Sequence, residues 1–175
     1  MIAKRTAAAI CALLVSIATT STAQDDEARA ASLARDAEKL MADGNIAEAC
    51  GKLRESVELD PRSATALDIG VCREKEGKLG SAYRAYGQAA EHAAKEKRDD
   101  RKQSASGKKN KLIFRIAKLT VVVPDAVKVD GLTIRVNGDL MASDEWGKEW
   151  PSDDGDLNVV ASAPGYDNWE TTVKM

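Results

Sequence analysis

Little in this chain is equipped for bond-making chemistry. The single histidine, His92, stands between Glu91 and Ala93 in a helical stretch, and no triad pattern, metal-ligand spacing or Gly-x-Ser-x-Gly elbow accompanies it. An imidazole so placed reads as a helix-surface group. Carboxylates are plentiful, but nothing sets two of them in an apolar pocket where their pKa values would separate into an acid and a base. Gly107-Lys108 is not a phosphate loop, because Lys102 replaces the leading glycine and Lys109 stands where Ser or Thr is required. Asp153, Asp154, Asp156 and Asn158 gather enough oxygen for Ca²⁺, yet lack the spacing and distal Glu of the usual loop, and read as a turn. The expectation is a protein that is no enzyme, with no metal site and no cofactor.

Binding chemistry has more to work with. Trp146 and Trp150 offer flat indoles that match the faces of sugar rings, although so short a module also needs large side chains to close its core, and core closure is the preferred reading. Lys102, Lys108, Lys109 and Lys111 could meet anionic headgroups, acidic glycans or another protein. The plainer reading, a solvated face balancing acidic neighbours, is preferred, and without interleaved aromatics nucleic acid is not an expected partner. Charge divides the chain. Residues 24–94 carry 10 basic and 14 acidic side chains, 95–118 carry 10 and 3, and 119–175 carry 4 and 11. A cationic segment therefore precedes an anionic module, with the break near Lys118.

The elements that position these groups begin with a leader. Two cations within Met1–Arg5, an apolar run from Ala7 to Ala18 and small residues at Ser21 and Ala23 form a secretory signal peptide over 1–23, with cleavage before Gln24. Retention as an anchor is the alternative. Beyond Ala23 no stretch reaches spanning length, so a periplasmic or secreted, soluble mature protein with no transmembrane span is expected. Helical stripes follow over Glu27–Ala42 and Ile46–Leu59, the latter stopped by Asp60-Pro61. Ser63 is placed to cap a third helix ending near Glu76, and a fourth runs from Ser81 to about Arg98. Gly44, Ala49, Leu53 and Ser56 are echoed 33 residues later by Gly77, Ala82, Tyr86 and Ala89, as Ala37 is by Gly70. A period in the low thirties marks stacked helical hairpins. A basic connector over 99–118 reads as one more helix, weakened at Ser104–Gly107, whose Leu112, Ile113 and Ile116 can cap the stack.

The repeated order of small residue, turn glycine, alanine, large apolar residue and Leu-Asp-Pro ending resembles the tetratricopeptide repeat, covering 24–98. Leu33 and Ala66 stand where that repeat usually has an aromatic, and Ala94 where the second copy would have its proline, so the fourth helix is expected to run on. The resemblance implies a binding groove. The face that clamps acidic chain ends in some relatives carries Ala34, Glu38, Leu67 and Val71 here, so the charged clamp is absent; recognition and mere scaffolding both stand as readings. It also implies that the second helix of one unit packs on the first of the next, which brings Cys50 and Cys72 within bridging distance. With an even cysteine count after leader removal in an oxidising compartment, a disulfide is expected, against the alternative of two buried thiols.

Strands are expected at Leu119–Val123, Leu132–Val136, Asp139–Ala142, Leu157–Ser162 and Trp169–Lys174, with Asn137-Gly138 as a hairpin turn. Asp154-Gly155, the Val159–Tyr166 run, Trp169 and Thr171-Thr172-Val173 resemble a PEGA-type domain over 119–175, a small β module of bacterial envelope proteins, although Asp153–Asp156 replaces its usual Pro-x-Gly. The fold class expected is α+β, helical hairpins followed by a small antiparallel β-sandwich. The function expected is an exported adaptor or scaffold with a protein partner in the envelope, and the alternative is a cell-wall glycan binder.

Overall fold

A computed structural model describes residues 14–175 of the chain, with side chains from residue 23 onward. The leader read over 1–23 falls largely outside the described residues. Five helices come first, α1 (Leu14–Ala42), α2 (Ile46–Leu59), α3 (Ser63–Lys75), α4 (Leu79–Lys95) and α5 (Asp99–Leu112). Six short strands follow, β1 (Ala117–Leu119), β2 (Thr133–Val136), β3 (Asp139–Met141), β4 (Trp150–Ser152), β5 (Asp156–Ser162) and β6 (Trp169–Lys174). The α+β class holds. Among the described residues no helix is long and apolar enough to cross a membrane.

The 33-residue echo has a backbone counterpart. At the end of α1, Gly44 takes φ +82°, Asn45 N–H donates to Leu40 C=O at 2.8 Å and Gly44 N–H to Met41 C=O at 3.3 Å. At the end of α3, Gly77 takes φ +76°, Lys78 N–H donates to Arg73 C=O at 2.9 Å and Gly77 N–H to Glu74 C=O at 3.0 Å. Both are Schellman turns, which satisfy the last helical carbonyls. The same turn closes α4, where Arg98 N–H reaches Ala93 C=O at 2.8 Å and Lys97 takes the left-handed position at φ +57°. The fourth helix therefore does not run on; it ends at Lys95, through a residue type that carries no turn signature.

Small residues build the helical core. Ala37, Ala49, Leu53, Cys50 and Cys72 form one cluster, and the Cys50–Cys72 disulfide joins α2 to α3 across a Cα–Cα distance of 5.7 Å. Closing a loop of 22 residues stabilises the fold by about 3 kcal/mol in the chain-entropy account. Gly70 leaves room for Tyr86, whose ring atoms would lie 2.2 Å from an added Cβ. Ser63 opens α3 but its own side chain is not the cap: the Glu96 carboxylate accepts the Ser63 N–H at 2.7 Å, placing an anion at the positive end of the helix. α5 is unbroken at Ser104–Gly107, and its buried Ala105 and Leu112, seven residues apart, seat it on α3 and α4.

The strands form a four-stranded antiparallel sheet in the order β3-β2-β5-β6 and a two-stranded one, β1-β4. Asn137-Gly138 makes the two-residue β2–β3 turn with φ +50° and +86°, as such turns require. Leu119, Ile134, Val136, Met141, Trp150, Leu157 and Val159 fill the core. Two strand expectations change. The strand expected at Leu119–Val123 lies earlier, as β1, sharing only Leu119 with it and taking Ala117 and Lys118 from the expected connector helix, which stops at Leu112, since 120–132 is irregular around Pro124; and β4 arises where no strand was expected, its Pro151 tolerated in a short edge strand opposite Lys118.

Candidate functional site

The two halves are locked together by α4. Gly80 presses on Ser152 so closely that an added Cβ would lie 2.1 Å from the Ser152 backbone carbon. One residue on, the Asp153 carboxylate accepts both Ser81 N–H at 2.8 Å and Ser81 Oγ–H at 2.7 Å. Arg84 completes the junction: its guanidinium donates to Pro151 C=O and to the Asp139 carboxylate, and stacks 3.7 Å over the Trp150 ring. Burial lowers the Arg84 pKa, opposed by the Asp139 charge. A planar cation that satisfies a carbonyl, a carboxylate and an aromatic face together is a fastening, not an open site.

This arrangement relocates the binding residues expected from the sequence. Trp150 is 2 % exposed, enclosed by core residues and Arg84, so it has no face for a sugar; Trp146 is half-buried against the same core. Trp150 fills the core, while Trp146 packs on it and also lines a smaller hollow with Val122, Val123 and Lys128. In the helical groove, Leu67 and Val71 are half-buried against Ala82, Tyr86 and the fully buried Leu112 of α5, so the chain's own helix fills that part of the groove. Ala34 is half-buried and Glu38 exposed on α1. Beside them Asp68 is half-buried on α3, and burial, then the Glu38 charge, raises its pKa. The four lysines do not form one patch. Lys108 and Lys109 lie over the Tyr86 and Tyr83 rings at 5.7 and 4.8 Å, while Lys102 and Lys111 point to solvent. Asp153 is consumed by Ser81, Gly155 turns the chain between β4 and β5 at φ +95°, and the Asn158 amide donates to Glu170 at 2.6 Å. His92 is half-buried on α4.

The open surface is elsewhere. A cleft of about 560 Å³ lies between the Val121–Val129 segment and the inner face of the larger sheet, where Ile134, Ala161 and Trp169 form its floor. Its cause is a mismatch of sheet sizes. Three-residue β1 and β4 cover only part of a face whose β5 and β6 span seven and six residues, and an irregular segment carrying a 3-10 turn at Asp125–Val127 bridges the rest. Tyr166, Trp169, Val122 and Val127 are its exposed lining residues, at 65 %, 57 %, 72 % and 55 %. Asp167 is the one charged side chain in the lining. Such a concentration of exposed apolar side chains around a concavity is the mark of a contact surface.

Sequence reasoning passed over these residues as a site. One signal was present: Trp169, Thr171 and Val173 alternate on a single face of β6, which puts an indole at the sheet's inner margin rather than outside it. No family model, curated protein or solved structure matches the chain.

Proposed function

We propose that the protein is a non-catalytic adaptor exported to the bacterial cell envelope, and that its protein partner is held by the apolar cleft of the β module. The observation that carries this reading is the cleft itself, with two half-exposed aromatics and almost no polar groups in its lining. Aliphatic and aromatic side chains of a protein match it better than hydroxylated sugar rings do, which need more hydrogen-bonding partners. The Cys50–Cys72 bridge suits an oxidising compartment such as the periplasm or the exterior, as the leader over 1–23 does. The helical hairpins, read as tetratricopeptide-like, and the β module, read as PEGA-like, then act as one body: the array is the mount and the module presents the surface.

The test places a photoreactive phenylalanine analogue at Tyr166 and, separately, at exposed Gln88 on α4, in cells exporting the protein. Discrete crosslinked proteins from position 166 but not from position 88 are expected. Equal capture from both positions, or none from either, would overturn the proposal. Pelleting with purified cell wall, lost on Trp169→Ser, would instead favour the glycan reading.

A further inference from the structure

Phe114 is the most exposed large apolar side chain among the described residues, at 95 %. It follows α5 in a turn closed by the Arg115 N–H to Leu112 C=O bond of 2.8 Å, so its backbone is held while its ring is wholly in water. Ile113, beside it, is 40 % exposed. Lys111 and Arg115 flank the pair, and neither enters a salt bridge among the described residues. The chain thus displays a cationic apolar knob. It also displays the converse, an apolar cleft whose single charged lining residue, Asp167, is anionic and likewise unpaired among the described residues. A phenyl ring fits readily within about 560 Å³.

We infer that the occupant of the cleft is Phe114 of a second copy of this chain. The inference rests on the cleft being the contact surface, and names the partner. Within one copy the ring, 95 % exposed, does not enter the cleft, so knob and cleft can be satisfied together only between molecules. Burying one phenyl ring removes on the order of 150–250 Å² from water. The flanking cations and Asp167 add an attraction that is screened by salt. Reciprocal exchange closes a twofold dimer, whereas one-way insertion builds a chain of copies.

Sedimentation of the purified protein over a concentration series tests this. The wild type is expected to self-associate, more weakly as salt rises. Phe114→Ser and Trp169→Ser should each weaken association at least about tenfold, as hot-spot truncations do. Both side chains are exposed, so unchanged thermal unfolding is the control for folding. Mixing the two variants should restore a single contact, because the knob of one meets the intact cleft of the other. A wild type that stays monomeric, or one whose association ignores Phe114→Ser, would overturn the inference. The cleft reading is separable: crosslinks from position 166 to other proteins, with a monomeric wild type, would leave it standing. Crosslinks only between copies of this chain would support both.

Discussion

The α4–β4 junction and the β-module cleft are both built on tryptophan, and they are opposites. At the junction Trp150 is 2 % exposed and capped by the half-buried Arg84 guanidinium, which is itself paired with a carbonyl and a carboxylate; at the cleft Trp169 is 57 % exposed beside a single carboxylate. The difference shows where side chains are committed and where they are left over. A buried aromatic with a guanidinium on its face has spent its surface on holding the fold, and only the uncommitted one remains for another molecule.

The sharpest way to break this contrast is at Arg84. Arg84→Ala should leave the Asp139 carboxylate and Pro151 carbonyl at the junction without their donor and uncover the Trp150 ring, costing about 2–5 kcal/mol; chemical denaturation should show a lower midpoint. Leu112→Ala comes next. It empties a fully buried site shared with Tyr86 and Val71, so a loss of about 2–5 kcal/mol is expected in the same measurement. The open region should respond in the reverse sense. Trp169→Ser should leave stability within about 0.5 kcal/mol while removing both crosslinking from position 166 and self-association. If the cleft variant unfolds as readily as the junction variant, the two regions are not functionally distinct.

The smallest effect concerns pH. The Asp68 pKa is raised, so the native state holds that proton more readily than the unfolded chain does, and stability falls as pH rises through the native pKa. Asp68→Asn removes that loss. Thermal melts should show the variant above wild type at neutral pH, with the gap closing in acid. A gap that persists unchanged at low pH would assign the effect to something other than this carboxylate.

Much of the helical half was legible because a repeat writes itself twice: Gly44 and Gly77 carry the same turn, and Ala49 and Ala82 the same close approach. The third Schellman turn was not, since Lys97 holds a left-handed φ without a glycine to announce it. In the β half, Asn137-Gly138 revealed its hairpin locally, whereas β4 carries a proline, Pro151, whose tolerance on an edge depends on the finished sheet. The junction lay furthest from view. Arg84 meets partners 55 and 67 residues along the chain, and no local pattern on α4 separates a fastening arginine from a solvated one. The cleft was equally hidden, because it follows from one sheet being smaller than the other.

The disulfide has a consequence for how the molecule would survive its surroundings. Between Cys50 and Cys72 lies the exposed Pro61-Arg62 turn, which joins α2 to α3 and carries an arginine of the kind a trypsin-like protease cuts after. A single cut there would sever the chain but release nothing, since both new ends belong to fragments tied through the bridge. On a gel the nicked protein would run as one band until thiol is added, and as two afterwards; wherever such a protease is met, the first wound at this turn is silent.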